Sequence, residues 1–123
     1  FIKAQADKPE MAEFTKPLGE LATEIQKLTG EIGQKAMKNP DEAGAAATPY
    51  LRIVGHLVFS YFWARMARVA MDKQANGNTD PFYVAKIATA RFYFDKLMPE
   101  AYSQMRTARS GAASLMALPA EAF

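Results

Sequence analysis

Between Tyr50 and Met71 apolar side chains occupy almost the whole circumference of the helix that their spacing predicts. Leu51, Val54, Val58 and Phe62 mark one face, Ile53, Leu57 and Tyr61 a second, and Phe59, Trp63 and Met66 a third. A helix resting on one side of a domain shows a single apolar stripe, whereas one that is apolar nearly all round is covered from several directions. The pattern predicts either the centre of a bundle or an element that a larger protein covers. It places Phe62 and Val58 in the core, so that Phe62→Ala is expected to cost about 3–5 kcal/mol.

The flanking segments have cleaner periodicity. Met11, Phe14, Leu18, Leu21, Ile25, Leu28 and Ile32 recur at alternating spacings of three and four, a heptad-like seam for packing against neighbouring helices. Asp7 and Glu10 have the spacing of a capping box, with Pro9 in the first turn, and Glu31→Lys35 is a well-oriented exposed pair. Pro17 interrupts the pattern without shifting its register, which predicts a kinked helix. Asn39-Pro40 ends that helix, and Asp41–Pro49 reads as an Ala-rich connection to a second helix over about Pro49 to Lys73. After a loop at Ala75–Thr79, Asp80 caps a third helix with Pro81 at its first position. Its stripe is Tyr83, Ile87, Ala90, Phe94 and Leu97, and the register runs on through Ala101, Met105 and Ala108 across Pro99, as one long kinked helix. Gly111 is placed to cap its end, and Ala112–Phe123 forms an apolar tail. With no strand-like alternation, the fold class is all-α: an antiparallel bundle of three to four helices with a short C-terminal apolar tail, in a single helical domain over residues 1–123.

Charge and composition narrow the function classes. The chain has 123 residues, half of them hydrophobic and 23% charged, which argues for a packed domain over disorder. Residues 1–49 carry six basic and eight acidic side chains (−2) and residues 50–123 nine basic and five acidic (+4), giving the net +2. An acidic first segment lying on a basic second one accounts for this asymmetry, and a net charge so small does not point to nucleic acid. Zero cysteines exclude disulfides, thiol catalysis and Cys-based metal sites, and match a reducing, cytoplasmic location. Phe1–Pro9 lacks the apolar core of a signal peptide, and the absence of an initiator methionine suggests an excised domain or a processed product. The longest uncharged run of the central helix, Ile53–Ala64, is shorter than the roughly 20 residues of a transmembrane span.

Candidate chemistry is sparse. His56, the only histidine, shares a side of its helix with Arg52, Phe59 and Trp63 and has no carboxylate at helical spacing, which fits a packing or hydrogen-bonding role. There are no Glu-x-x-His repeats for a di-iron site, and a haem held by His56 with Met66 or Met71 lacks an attachment motif. Ser60, Ser103, Ser110 and Ser114 lack the sharp turn of a catalytic serine, and Gly30, Gly33 and Gly77 form no phosphate-binding fingerprint. The run Arg91-Phe92-Tyr93-Phe94-Asp95-Lys96 reads as a core face beside a solvated one and not as a nucleic-acid stacking surface. No residue is assigned a catalytic, cofactor-binding or metal-binding role.

Five clusters in order carry a resemblance: Tyr50-Leu51 with Gly55; Trp63 through Ala67; Lys86 through Phe94; Leu97-Met98-Pro99-Glu100; and Gly111 with Ser114-Leu115-Met116-Ala117-Leu118-Pro119. Over residues 8–123 the chain resembles the C-terminal extension of a long subclass of acyl-CoA dehydrogenases that includes the 3-methylmercaptopropionyl-CoA dehydrogenases. The resemblance implies a parent flavoprotein in which a glutamate takes the α-proton of an acyl-CoA and the β-hydride passes to FAD, giving the 2,3-enoyl-CoA. Those parts belong to upstream domains. Neither Glu100 nor Glu121 sits in a motif matching the catalytic base, so no catalytic residue and no FAD contact is carried onto this sequence. The implied partners are the catalytic body and a sister subunit, with acyl-CoA as the substrate of the parent.

Two other readings compete with this one: a free-standing helical interaction module, and a peripheral membrane-surface domain using the basic second half. A bundle covers only part of the Tyr50–Met71 circumference, and Leu115, Met116, Leu118 and Phe123 have no evident neighbours. A contiguous exposed apolar patch, on the outer face of that helix or on the tail, is therefore expected.

Overall fold

The structure, a computed structural model, describes residues 1–122, and Phe123 lies outside the described residues. Four α-helices carry the chain: α1 (Ala12–Lys38), α2 (Asp41–Ala75), α3 (Pro81–Phe92) and α4 (Glu100–Arg109). A π-helical turn, Tyr93–Leu97, follows α3, and short 3-10 turns occupy Lys3–Gln5, Pro9–Met11 and Ala120–Ala122. No strand occurs among the described residues, and the fold is all-α as the periodicity predicts.

Helix boundaries depart from expectation at three places. The Ala-rich segment after Pro40 is helical, and α2 runs 35 residues from Asp41. Alanine is the strongest helix former, and Asn39-Pro40 both ends α1 and starts α2. The Asn39 side chain accepts from the Asp41 amide at 3.1 Å, and Pro40 stands in the first turn, where no amide hydrogen is needed. At the other end of α1, Lys8 and not Asp7 precedes the Pro9–Met11 turn that leads into the helix, and no side chain caps it. The third departure is the π turn. Pro99 has no amide hydrogen to give the Asp95 carbonyl, and the turn before it widens so that the Met98 amide reaches the Tyr93 carbonyl at 2.9 Å. Two α segments joined by this turn replace the single kinked helix, and Met98 takes the buried place expected of Leu97, which is exposed.

The chain forms two compact units, and α1 and α2 contribute to both. Unit 1 comprises Phe1–Ala22 and His56–Pro99. Its core takes Met11 from the 3-10 turn before α1, Phe14, Leu18 and Leu21 from α1, Ser60, Ala64, Ala67 and Ala70 from α2, and Ile87, Ala90, Tyr93, Phe94 and Met98 from the third stretch. The Phe14 and Phe94 rings meet edge to face with centroids 5.3 Å apart. Lys8 pairs with Asp72 at 3.0 Å, while Leu18 lies beside Leu57 and Tyr61, so α1 and α2 run antiparallel. Arg91 clamps Glu13 through two hydrogen bonds of 2.8 Å, which hold its guanidinium further into the charged form.

Unit 2 comprises Thr23–Gly55 and the chain from Glu100 onward. Ile25, Leu28, Ala46, Ile53, Ala101, Met105, Ala108 and Ala112 fill its core. Thr29 and Tyr50 share a hydroxyl–hydroxyl hydrogen bond of 2.7 Å. Arg109 donates to both carboxylate oxygens of Glu31, at 2.8 and 3.3 Å, and lies 3.6 Å from Glu24. Glu31 therefore pairs mainly across the unit with Arg109, while Lys35 adds a weaker attraction to Glu31 and its ammonium donates to the Arg109 carbonyl at 3.1 Å. Arg52 binds Glu100. In each unit a basic residue of the second half holds an acid of the first, the arrangement the charge asymmetry suggests. Gly111 has φ of 75° and ends α4 as expected, with a Cβ there falling 2.7 Å from Glu42 Oε2.

The main correction concerns α2. Phe62 is 49% exposed and Val58 45%, so neither belongs to the core and the expected 3–5 kcal/mol for Phe62→Ala does not apply. The buried seam consists of Ala46, Ile53, Ser60, Ala64, Ala67 and Ala70, small residues apart from Ile53 and of the kind that allow close helix packing, while the large side chains face outward.

A candidate docking face

Helix α2 has a 3.6-residue period, so its small inner seam leaves Val58, Phe59, Phe62, Met66 and Val69 together on the other side. All five are exposed, Phe59 the most at 58%. Helix α3 runs antiparallel to this part of α2. Tyr93 at its far end meets His56, and Phe82 at its start meets Met66 and Val69. The position of Phe82 follows from the Asp80 cap, whose carboxylate accepts the Phe82 amide at 2.9 Å and starts the helix there. Between the two helices lies an open groove of about 380 Å³, with Phe62, Met66, Val69, Phe82 and Tyr83 as its apolar lining.

Two cations rim the groove. Lys86 Nζ sits 5.1 Å from the centre of the Phe82 ring and 5.9 Å from that of Trp63. Arg65 lies 5.5 Å from the Tyr61 ring centre and donates to its hydroxyl at 3.4 Å. Aromatic faces attract such cations, so both charges are held at the edge of an apolar floor. No acidic residue lines the groove. The arrangement can bury apolar side chains and meet a carboxylate, and it contains no nucleophile–base pair. The expected exposed patch is present here, and Leu115, Met116 and Leu118 of the tail are exposed as well.

The other candidates are dispersed. His56 Nδ1 lies 2.9 Å from the Tyr93 hydroxyl, which also donates to the His56 carbonyl at 3.3 Å, and Trp63 stacks on the same Tyr93 ring at 6.3 Å. His56 thus helps anchor the residue at which the π turn begins. Ten and fifteen residues along one helix separate it from Met66 and Met71, a rise of roughly 15 and 22 Å that no single haem iron spans. Ser60 is fully buried inside α2, and Ser103, Ser110 and Ser114 are exposed. Tyr93 and Phe94 are core residues and Arg91 is committed to Glu13, so the aromatic–basic run is a core face beside a solvated one. Glu100 holds Arg52, and Glu121 lies exposed in the tail. Among the described residues no three acidic or histidine side chains gather as metal ligands, and no helix is long and apolar enough to cross a membrane.

Sequence reasoning did not see the parts played by Phe82, Arg65 and Lys86. The available signal was the row Ala46, Ile53, Ser60, Ala64 and Ala67, which marks the inner face of α2 and so assigns its larger neighbours to the outside. A search among curated proteins finds no match to the chain. The family described as acetyl-CoA dehydrogenase C-terminal like matches residues 1–119, almost the full length of this helical array, and the chain belongs to that family.

Proposed function

We propose that the chain serves as one non-catalytic helical domain at the C-terminus of a longer, FAD-dependent acyl-CoA dehydrogenase of the subclass that includes the 3-methylmercaptopropionyl-CoA dehydrogenases. The parent oxidises an acyl-CoA to the 2,3-enoyl-CoA, and this domain supports its assembly or the wall of its substrate cleft. The observation that carries the reading is the outward row Val58, Phe59, Phe62, Met66 and Val69, on a chain of this family. Isolated apolar residues on a surface need no partner, but a contiguous row with a cationic rim has the character of an interface. Its partner is the catalytic body or a sister subunit. The residues of this face do not fit a flavin site: they form an open apolar trough, so the cofactor is assigned to the upstream domains and no chemical step is routed through this one.

The full-length gene product is expected to purify with a flavin spectrum, whereas the isolated chain dialysed against FAD stays colourless and reduces no dye with acyl-CoAs of several chain lengths. In the full-length protein, Phe59→Asp with Phe62→Asp is expected to lower the assembly state or the thermal midpoint while leaving the helical circular dichroism of the isolated chain unchanged. A stoichiometric flavin on the isolated chain, or a full-length protein indifferent to both substitutions, overturns the reading.

A further inference from the structure

We propose that the groove between α2 and α3 receives the Leu115–Glu121 segment of a second copy of this chain, and that the exchange is reciprocal. The inference rests on the reading of this face as an interface and names its occupant. The groove offers an apolar floor of Phe62, Met66, Val69 and Phe82 with two cations, Arg65 and Lys86, and no acid in its lining; the nearest carboxylate on the chain, Asp80, is turned to the Phe82 amide as the cap of α3. The segment offers the complement: Leu115, Met116 and Leu118 are exposed, and its single charged residue, Glu121, is negative. Only short turns organise it, with the Met116 amide bonded to the Ala112 carbonyl at 3.0 Å and the Ala122 amide to the Pro119 carbonyl at 3.0 Å. A segment so loosely held can adjust its shape to a groove. The volume of about 380 Å³ falls in the range of sites that bury small apolar groups. Because groove and segment belong to the same chain, two identical contacts close a two-fold dimer with no open end.

Sedimentation velocity of the full chain at rising concentration tests the proposal, with circular dichroism confirming that each variant is folded. The wild type is expected to pass from monomer to dimer. A tail variant (Leu115→Ser, Met116→Ser, Leu118→Ser) and a groove variant (Arg65→Glu, Lys86→Glu) are each expected to weaken dimerisation by about tenfold or more. Mixing the two variants is expected to give a one-to-one heterodimer, since one tail and one groove remain intact. Adding Glu121→Lys to the groove variant is expected to recover part of the loss. A tail variant that dimerises like the wild type overturns the proposal, as does failure of the two variants to complement or a chain that stays monomeric. If dimerisation survives in the tail variant but is lost in Phe62→Ser, the face remains an interface and only its occupant is wrong. The proposed function is decided separately, by assembly of the full-length protein.

Discussion

Along α1 the buried positions are large: Phe14, Leu18, Leu21, Ile25 and Leu28, with Met11 just before them. Along α2 they are mostly small, Ala46, Ser60, Ala64, Ala67 and Ala70, while Leu51, Val58, Phe59, Phe62 and Val69 face outward. Both helices have polar and apolar positions at helical spacing, yet size and burial are correlated in one and anticorrelated in the other. Each choice has a physical logic. Large residues on α1 each remove more apolar area from water than an alanine can, at about 25 cal/mol per Å². Small residues on α2 let neighbouring backbones approach. The helix gives up that area internally and leaves its large side chains to a surface that water now covers at a cost. On an evolved chain such a surface points to a second burial event outside the domain.

The widest test of this contrast is a matched pair of truncations. Phe14, 1% exposed and packed on Phe94, is expected to cost about 3–5 kcal/mol on Phe14→Ala, read as a shift in the urea midpoint at constant slope. Phe62→Ala is expected to cost less than about 1 kcal/mol in the same titration, as substitutions away from the core do. Equal losses would mean that Phe62 is buried in solution and that the two helices do not differ.

A smaller effect tests the inner seam from the other direction. Ala67 is fully buried, and Ala67→Leu is expected to destabilise by about 1–3 kcal/mol through overpacking, although leucine is among the best helix formers. The same change at exposed Ala85 of α3 is expected to be nearly neutral. A neutral Ala67→Leu would show that the seam has room to spare and that small residues there are not required.

Smaller again is the cap of α4. Gly111→Ala places a Cβ in the left-handed region and against the Glu42 carboxylate, and is expected to cost about 1–2 kcal/mol. Gly44→Ala within α2, where nothing lies within 4 Å of the new methyl, is expected to stabilise by about 0.5–1 kcal/mol. Thermal melts of the two variants should therefore move in opposite directions, and a shared direction would remove the backbone argument.

These contrasts also show which parts of the molecule a sequence can convey. The α1 seam, the Asp80 cap with Pro81 and the Gly111 terminus were legible because each rests on interactions within a few residues: periodicity, a side chain reaching its own backbone, a positive φ. The helical Ala43–Thr48 stretch reads as a connection when Pro49 is given the weight of a boundary, although proline's penalty competes with four flanking alanines. The π turn was not legible, since the widening before Pro99 leaves the three-and-four spacing intact and moves burial from Leu97 to Met98 only. On α2, apolar character was legible and its direction was not. Hydrophobicity identifies what can be buried, whereas close helix approach decides what is, and that depends on partners far away in sequence. The docking face inherits the same ambiguity: its apolar row was visible in the sequence, while Phe82 and Lys86 joined it only through the fold.

The smallest expected effect concerns the charge pairs that fasten the two halves of the sequence to each other. In unit 2, hydrogen bonding from Arg109 holds the Glu31 carboxyl below its ordinary value of 4.5, and Lys27, seconded by Arg109, does the same for Glu24. Groups whose folded values are depressed contribute stability above the unfolded carboxylate range and lose it as pH falls through the lower folded values. The thermal midpoint is therefore expected to fall between about pH 5 and pH 3. Glu31→Gln, which cannot ionise, should lower the midpoint at pH 7 slightly and flatten that fall. These pairs are solvent-exposed, so 1 M salt should narrow the gap between wild type and variant at pH 7. If Glu31→Gln and wild type lose stability in parallel down to pH 3, the Arg109 clamp contributes nothing measurable, and the fastening of unit 2 belongs to its apolar core alone.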